Sequence, residues 1–543
     1  MNITRRTLGV GALSALALPL VDQGLARAAG SGAHDAAAPA ATGQAAPAKA
    51  AASAVVPYPT APYLTKSTAY TLSVNSQAID VRKHFDYSIA QFSYSGTATF
   101  TITASETITS YNISPHSYGV KATKSGKTLT FSLTQTQSRY LVIKVNGLEN
   151  LVIAADPLEA GIPVPNGGSV KNILDYSGID RTGNTLMTSK IQKAIDDAAA
   201  RSGGGTVYVP AGVYKFTQIE LKSHVTVYLA AGAVLRGSSK VGDYDFSGKH
   251  FHAANVRIVG AANASIKGRG TIDSNGSVLT SGPSGSNREN IIASLKNSQG
   301  TKPDTLVFEG ITLRDGTTWN FNLKDSTHVT ITNVKIFNNV HWIHGDGFDL
   351  VNVSHAVVDQ CLACTGDDAF DAKSSSTEPM TDLVYQNSVA YTQAAGTKLG
   401  MQGAGAMSDI WFKNIDVIQG YRGVSVSHDE GGGAWSGIHF TDIRTEKIYN
   451  NGTSGEFRTA PILIWTAEYS GSTSGPITGV ELVRVSFENI NGFHSIIQGE
   501  NSKSKVSNVS FTDLTINGRP VKKASDGLID INANTSDITF AVS

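Results

Sequence analysis

Short apolar strands recur along the second half of the chain with a nearly constant period. The first six strand centres are almost evenly spaced, and the gap between the sixth and the seventh is nearly twice as long as the others. The centres are aromatic or β-branched: Phe308, Ile331, Val358, Tyr385, Phe412, Phe440, Phe487 and Phe511. A period of about 20–30 residues built from strands indicates a coil-by-coil solenoid, whereas propeller blades repeat every ~40–50 residues. We expect an all-β chain with a right-handed parallel β-helix over residues 170–543, and an extra coil or a long loop near residues 449–475.

An amphipathic helix is predicted just before these strands. Apolar residues stand at helical spacing on one face, and Thr188 with Ser189 is the expected cap. The apolar face consists of Ile191, Ala194, Ile195 and Ala198. Glycines at 203–205 end the helix and strands follow at once, so we expect the helix to cover the first coil of the solenoid.

Residues 57–160 show a different pattern, in which apolar and polar residues alternate with the period of two that is typical of half-buried strands. The clearest segments are 98–103, 129–133 and 140–145, and turn signals such as Asn146-Gly147 separate them. The pattern predicts a small antiparallel β-sandwich. Because no aromatic row marks one face, carbohydrate binding and a packing or spacer role both stay open.

Residues 1–29 are predicted to be a twin-arginine export signal. Arg5-Arg6 precedes an apolar stretch at 9–20 and a small-residue cleavage site at 26–28, a stretch that is short for a membrane anchor. Residues 30–56 are rich in Ala, Gly and Pro and are expected to form a linker. We expect a secreted or periplasmic protein that does not associate with a membrane after cleavage of the signal.

Charge and cysteine content restrict the possible partners. Lys plus Arg and Asp plus Glu both number 44, and without basic clusters this balance argues against nucleic-acid binding. The two cysteines, Cys361 and Cys364, cannot close a structural zinc site, so they are either small core residues, a local disulfide or a redox pair. We expect a monomer that needs no metal and no cofactor.

Two neighbouring segments repeat a pattern of aspartates. Residues 344–349 align with residues 366–371, so that Asp346 meets Asp368 and Phe348 meets Phe370. In a solenoid this offset corresponds to one coil and places the paired side chains above one another. Stacked aromatic rings are ordinary in such a core, but stacked carboxylates repel each other and raise at least one pKa. A purely structural surface is not expected to keep such a pair.

Asp367 adds a third carboxylate, because its counterpart one coil below is Gly345. Inverting glycoside hydrolysis uses one protonated acid and carboxylates roughly 6.5–9.5 Å away that activate a water. We assign Asp367 as the general acid, with Asp346 and Asp368 holding and deprotonating the water. A calcium site and a solvated turn are the competing interpretations of the cluster.

Gly366-Asp367-Asp368, one coil after Gly345-Asp346-Gly347, resembles the polygalacturonase family, glycoside hydrolase family 28. The segments 180–184, 203–212 and 268–273 are similar as well, and the preceding sandwich resembles the related dextranase and isopullulanase family, glycoside hydrolase family 49. The resemblance covers the chain from about residue 170 onward. It implies a pectin-lyase-like solenoid and an inverting hydrolase that uses three aspartates.

The sequence departs from the polygalacturonase pattern around the substrate. His344 and Gly345 replace Asn-Thr, the Gly-His-Gly segment becomes Gly396-Thr397-Lys398, and Arg422 alone remains of Arg-Ile-Lys, which reads a uronate carboxylate in the family. The hydrolytic residues are therefore kept, while the pectin-specific ones are not. Our candidates for substrate binding are Trp342, His344, Asp371, Lys398, Arg422 and His428, the last on a loop near the cleft.

Several of these residues have a second interpretation. Lys398 and Arg422 either pair with a substrate carboxylate or keep the catalytic aspartates ionised. Trp319, Trp342 and Trp465 either stack on sugar rings or pack against the solenoid. Lys373 is expected to pair with Asp371 or Asp349.

A polysaccharide substrate is expected, and a uronate-containing pectic polymer is preferred on the resemblance. A neutral α-glucan, as cleaved by the dextranase type, is the first alternative. A calcium-dependent polysaccharide lyase and a non-catalytic glycan-binding protein are the others.

Overall fold

The structure, a computed structural model, describes residues 53–245, 253–279, 289–450, 452, 458–469 and 471–543. The predicted export signal and most of the predicted linker lie outside these ranges. Within them, residues 55–57 already form a strand of the sandwich, although the linker was expected to run to residue 56. Across the described ranges, no helix combines the length and the apolar character needed to cross a bilayer.

The N-terminal domain is a β-sandwich of a six-stranded and a five-stranded sheet. Its core contains Phe92, Phe100 and Phe131. Most neighbouring strands are antiparallel, as predicted, but the last strand of the domain pairs in parallel with the fifth. In chain order the strands are β1 (Val55–Pro57), β2 (Tyr70–Val74), β3 (Gln77–Ile79), β4 (Val81–His84), β5 (Tyr87–Tyr94), β6 (Thr97–Ala104), β7 (Tyr111–Ser114), β8 (Thr123–Ser125), β9 (Thr128–Thr134), β10 (Arg139–Val145) and β11 (Asn150–Pro157).

The predicted helix is present as α1, Thr188–Ala199, and its four predicted apolar residues are buried. The predicted cap was wrong: Met187 occupies the N-cap position without a side-chain hydrogen bond. The Thr188 hydroxyl instead accepts a hydrogen bond from the Thr217 amide at 2.9 Å, which ties the helix to the first coils. A second helix, α2, spans Gly276–Leu279.

Residues from 170 onward form a right-handed parallel β-helix, as the sequence predicts. Its strands are β12 (Val170–Asn172), β13 (Thr182–Leu186), β14 (Gly205–Val209), β15 (Gly212–Phe216), β16 (Ile219–Leu221), β17 (Val225–Leu229), β18 (Ala233–Gly237), β19 (Ala254–Val259), β20 (Ala262–Gly268), β21 (Thr271–Asp273), β22 (Asn290–Leu295), β23 (Asp304–Glu309), β24 (Thr312–Arg314), β25 (Phe321–Lys324), β26 (Thr327–Thr332), β27 (Lys335–Phe337), β28 (Phe348–Val351), β29 (Ser354–Asp359), β30 (Leu362–Thr365), β31 (Phe370–Ser374), β32 (Met380–Gln386), β33 (Val389–Thr392), β34 (Ala395–Gly403), β35 (Met407–Gln419), β36 (Arg422–Glu430), β37 (Trp435–Lys447), β38 (Ile462–Thr466), β39 (Ile477–Val483), β40 (Ser486–Asn489), β41 (Ser495–Gln498), β42 (Val506–Thr512), β43 (Thr515–Ile516), β44 (Arg519–Pro520), β45 (Ile529–Ile531) and β46 (Thr535–Ala541).

These strands form a 24-stranded sheet, which wraps two faces of the coils, and an 11-stranded sheet on the third face. The predicted internal ladder is present from Phe308 to Phe440, with each residue directly above the last. The prediction of Phe487 as the next strand centre is wrong, because Leu482 is the residue that continues the ladder above Phe440. Since Leu482 pairs directly with Phe440, the long gap in the repeat contains a long connection and not an extra coil.

The two cysteines are buried free thiols, so the predicted alternative of a disulfide is wrong. Cys361 lies inside the coil, whereas Cys364 faces the sandwich. The sandwich packs on the outer side of β27, β30 and β33 through a buried apolar cluster. This packing attaches the sandwich to the middle coils of the β-helix, which carry the segments described next.

Candidate active site

The 11-stranded sheet carries the aspartate cluster on its outer face. Along each strand, alternate residues point into the coil and out of it, so Phe348 and Phe370 are internal while Asp349 and Asp371 are external. The register pairs Phe348 with Phe370 and Asp349 with Asp371. The predicted offset of one coil between the two aspartate segments is therefore confirmed.

Asp346, Asp367 and Asp368 lie together at the start of β28 and β31, and we call this cluster and its surroundings the aspartate pocket. Each contributes a carboxylate oxygen, and these oxygens all lie within 4.8 Å of one another. Asp346 and Asp368 are buried, at 5% and 3% exposure, whereas Asp367 is partly exposed. The oxygens are closer together than the roughly 6.5–9.5 Å between acid and base that we expected.

Two glycines allow the backbone to bring these aspartates together. A Cβ on Gly366 would lie 2.3 Å from the Trp342 carbonyl oxygen, and one on Gly347 would lie 2.3 Å from the Ala369 carbonyl oxygen. The Asp367 carbonyl is fixed by two hydroxyl groups, since Thr365 donates to it at 2.7 Å and Thr392 at 2.5 Å. Larger residues at either glycine would push one aspartate away from the others.

Two buried lysines neutralise part of the negative charge. Lys373 contacts Asp346 at 3.3 Å, Asp371 at 2.7 Å and also Asp349, so the predicted pairing is confirmed with both candidates. Lys398 contacts Asp368 and lies 3.4 Å from Asp371. The ammonium of Lys373 thus lies among Asp346, Asp349 and Asp371, whose oxygens would otherwise suit a divalent cation.

The three central carboxyls differ in their affinity for protons. Burial, followed by the charges of Asp346 and Asp368, raises the pKa of Asp367 well above its usual value. Burial also acts to raise the pKa of Asp368, but the ammonium of Lys398 and then that of Lys373 outweigh it, and the pKa is lowered. Burial raises the pKa of Asp346 despite Lys373. The pocket therefore holds a carboxyl that favours its proton beside one that favours ionisation.

Asp371 lies between the two buried lysines of this network. Burial raises its pKa to about 6, against the opposing charges of Lys373 and Lys398. Asp371 contacts both lysines and is 1% exposed. These contacts support a role in holding the lysines rather than the direct contact with substrate that the sequence suggested.

Trp342 and His344 lie on the segment that leads into Asp346. Both are partly exposed, and their rings are 6.0 Å apart in an edge-to-face arrangement. The Trp342 indole N–H donates to the Thr317 carbonyl at 2.9 Å, which fixes the ring beside the pocket. Trp319, also partly exposed, stacks over the Lys373 ammonium at 4.2 Å from the ring centre. Trp465 is 2% exposed, so packing is the interpretation that the structure favours for it.

His428 and Arg422 are both buried, whereas the sequence suggested that they bind substrate. His428 was predicted on a loop, but it lies within β36, is completely buried and stacks on Trp435 with ring centres 4.2 Å apart. Arg422 is 2% exposed, and its guanidinium donates to the Arg458 carbonyl at 3.2 Å and to the Ser425 hydroxyl at 3.4 Å. The His428 assignment is therefore wrong, because the strand alternation turns this ring into the core.

Asp429 is a buried acid within β36, whereas the sequence placed the charged triplet 428–430 on a loop near the cleft, with either a subsite role or a solvated surface. Its carboxylate accepts a hydrogen bond from the Ser427 hydroxyl at 2.7 Å, and Ser427 in turn accepts from the Trp465 indole at 2.9 Å. Burial raises the pKa of Asp429 to about 6, while Arg422 and Lys398 lower it. The alternation of apolar and polar residues from 422 to 427 continues to Asp429, and that signal would have placed it on the outer face of the sheet.

Comparison with known proteins gives a family and a fold. The model of glycosyl hydrolases family 28 matches residues 202–536, which is more than half of the chain. An exo-poly-alpha-D-galacturonosidase from Dickeya chrysanthemi is 39% identical over 122 residues, 20% of each chain. A probable polygalacturonase from Vitis vinifera is 24% identical over 291 residues, 49% of this chain and 58% of that one. The chain thus spans less than two thirds of either relative.

Two solved structures have a similar fold. Dex49A from Penicillium minioluteum has a TM-score of 0.58 at 12% identity, covering 89% of this chain and 96% of that one. The family 28 exopolygalacturonase of Yersinia enterocolitica has a TM-score of 0.53 at 15% identity, covering 82% of this chain and 93% of that one. At such low identities the likeness supports the fold alone.

Proposed function

Because the chain belongs to the glycosyl hydrolases of family 28, we propose that it is an inverting glycoside hydrolase that cleaves a polysaccharide with Asp346, Asp367 and Asp368. The observation that carries the proposal is the meeting of three carboxylates, with oxygens within 4.8 Å of one another and the ammonium of Lys398 against Asp368. This arrangement is consistent with the opposite pKa shifts of two adjacent carboxyls, raised for Asp367 and lowered for Asp368. Enzymes that need an acid and a base at the same pH separate the two roles in this way.

The proposed reaction is a single displacement. Protonated Asp367, the partly exposed member, donates its proton to the glycosidic oxygen as the bond between that oxygen and the anomeric carbon breaks. A water held by Asp346 and Asp368 attacks the anomeric carbon from the opposite side, and its proton passes to ionised Asp368. The sugar leaves with inverted configuration, Asp368 releases the proton it took from the water, and Asp367 regains a proton from solvent.

The short distances within the carboxylate trio make stereochemistry the critical test. Inversion is what the family resemblance implies, but oxygens within 4.8 Å are nearer to the ~5–5.5 Å typical of retaining enzymes. A retaining enzyme would use one of these aspartates as a nucleophile and form a covalent intermediate. The anomer that is released first distinguishes the two reactions.

For the substrate we propose a pectic or other uronate-containing polymer. The support comes from Lys398 against Asp368, from Arg422 near Asp429, and from the printed activities of the two relatives, a galacturonosidase and a probable polygalacturonase. A guanidinium or ammonium group stabilises a uronate carboxylate through charge-assisted hydrogen bonds.

A neutral α-glucan is the second candidate, and a specific observation favours it. Lys398 is engaged by Asp368 and Asp371, and Arg422 by the Arg458 carbonyl. The first outward side chains of β36 after Arg422 are the uncharged Ser425 and Ser427, and the acid Asp429 follows them. Ser425 stands directly beside Lys398 in the register. A neutral sugar would need no further cation on this side of the pocket.

Reducing-sugar release from polygalacturonate, rhamnogalacturonan, dextran and pullulan tests the function. We expect cleavage of a polymer in this set, with NMR showing the inverted anomer first. Release of the retained anomer would overturn the proposed displacement. An unsaturated product that absorbs in the ultraviolet would indicate a lyase, and binding to a polymer without any cleavage would indicate a glycan-binding protein.

We also propose export by the twin-arginine route to the periplasm or the medium, and a monomeric protein. The export proposal rests on the Arg5-Arg6 pattern and the apolar stretch after it. Replacement of both arginines by lysine should retain the protein in the cytoplasm, and unchanged export would contradict the route. Sedimentation of the mature chain tests whether the protein is a monomer.

A further inference from the structure

The hairpin formed by β4 and β5 of the sandwich touches the segment that leads into Asp346. The Tyr87 hydroxyl donates to the Asn338 carbonyl at 2.9 Å, and the His84 Nε2 lies 3.1 Å from the Phe337 carbonyl. At the rim, the His341 Nε2 lies 2.8 Å from the Asp86 carboxylate. The sandwich therefore holds the chain directly where it leaves β27 for the active site.

Hydrogen bonds continue this contact as far as Asp346. The Asn338 side-chain amide donates to the Asn320 side-chain oxygen at 3.3 Å. Asn320 then donates twice to the Asp346 carbonyl, from its side chain at 2.7 Å and from its main chain at 3.0 Å. The Asn338 amide also packs against Gly345, where a Cβ would come within 2.6 Å of its nitrogen. The backbone at Asp346 is thus fixed through a chain of contacts that starts at Tyr87.

A second contact of the sandwich is connected to Asp367. Asn150 at the start of β11 donates to the Tyr391 hydroxyl at 2.7 Å. Tyr391 pairs with Cys364 in the register, and the next residues along these two strands are Thr392 and Thr365. Those two hydroxyls are the donors that fix the Asp367 carbonyl. Both aspartate segments are therefore attached to strands that the sandwich covers.

We propose that the β-sandwich is a positioning part of the active site, and that Tyr87 and Asn150 hold the segments carrying Asp346 and Asp367 in register with each other. The proposal rests on the proposed hydrolase function of these aspartates. A misplacement of about 1 Å can cost on the order of a hundredfold in rate, so a rigid support on this side has a direct effect on catalysis. A spacer or a separate carbohydrate-binding module would not need such contacts.

Tyr87→Phe tests the proposal, and Tyr140→Phe is the matched control. Tyr140 belongs to the same buried cluster, and its hydroxyl lies 2.7 Å from two acceptors, the Asn333 side-chain oxygen and the Gln360 carbonyl, away from the aspartate segments. We expect Tyr87→Phe to lower kcat about tenfold with KM nearly unchanged, and Tyr140→Phe to leave kcat unchanged. Both variants should lower Tm by similar amounts, because each removes buried hydrogen bonds.

Hydrogen exchange supplies a readout that does not depend on activity. The amides of Asn320, Gly345 and Gly347 are bonded within the site segments, and we expect them to exchange faster in Tyr87→Phe than in Tyr140→Phe. Equal kcat and equal exchange in the two variants would overturn the positioning role. If the wild-type protein cleaved none of the four polymers, the proposed function would fail, whereas the exchange comparison would still decide whether Tyr87 orders these segments.

Discussion

The main-chain N–H of Asp368 donates to Oδ1 of Asp367 at 3.0 Å, and these adjacent carboxyls have pKa values shifted in opposite directions. Neighbouring acids in one buried pocket cannot both ionise at low cost, so a cation beside one of them decides which keeps its proton. Lys398 contacts Asp368 and thereby assigns the proton to Asp367.

The pH dependence of kcat/KM should be bell-shaped. Activity falls on the acid side as Asp368 gains a proton, and its lowered pKa moves that limb toward low pH. Activity falls on the alkaline side as Asp367 loses its proton, and its raised pKa moves that limb upward. Initial rates from about pH 3 to about pH 9 check both limbs. A rate that rises steadily with pH would be inconsistent with an acid at Asp367.

Replacing Lys398 should move the acid limb. In Lys398→Met, Asp368 loses the cation that lowers its pKa, so it is protonated at higher pH and activity at low pH is lost first. Lys398→Arg keeps the positive charge and should leave the limb nearer to its original position. If the limb stayed in place in the Met variant, Lys398 would have no part in setting the ionisation of Asp368.

Lys373 should be essential for stability. In Lys373→Met, Asp346, Asp349 and Asp371 lose their shared cation, and breaking a buried pair of this kind costs about 3–5 kcal/mol. Urea unfolding measures the change in the free energy of unfolding.

The double variant Lys373→Met/Asp349→Asn is the control for this effect. It removes one of the uncompensated charges and should recover part of the loss. A change below about 1 kcal/mol in the single variant would contradict the buried contacts.

Chelators should leave the rate unchanged. The ammonium of Lys373 lies among three carboxylates, and Lys398 lies beside Asp368, so these groups supply the positive charge that a calcium site would otherwise provide. Turnover is measured with EDTA and again after added calcium. Loss of activity that only calcium restores would favour the lyase interpretation.

The sequence predicts the solenoid and the carboxylate trio because both follow from one period. Strand register converts an offset of one coil into stacked side chains, which is why Asp349 and Asp371 are neighbours. The same reasoning fails where local patterns mislead. Phe487 resembles the strand centre of a repeat, but Leu482 occupies that position in the ladder. The charged triplet at 428–430 suggests a loop, but β36 continues through it.

Contacts between distant parts of the chain leave no periodic signal. Tyr87 and Asn338 are 251 positions apart, and nothing in either local pattern indicates that they touch. The contacts of the buried lysines could not be predicted either. The sequence indicates a cation near the aspartates, but it does not show which carboxylate each lysine contacts. Those contacts set the pKa values on which the proposed roles depend.

Turnover of Asp367→Asn, measured together with polymer binding, shows whether Asp367 supplies the proton to the glycosidic oxygen. Asparagine keeps the size of the side chain and cannot donate the acid proton, so we expect kcat to fall by about a hundred- to ten-thousandfold. Binding and Tm should remain near wild type, and Asp382→Asn, on the exposed surface, should behave like wild type in every respect. Wild-type turnover in Asp367→Asn would show that Asp367 does not supply the proton and would exclude the proposed displacement.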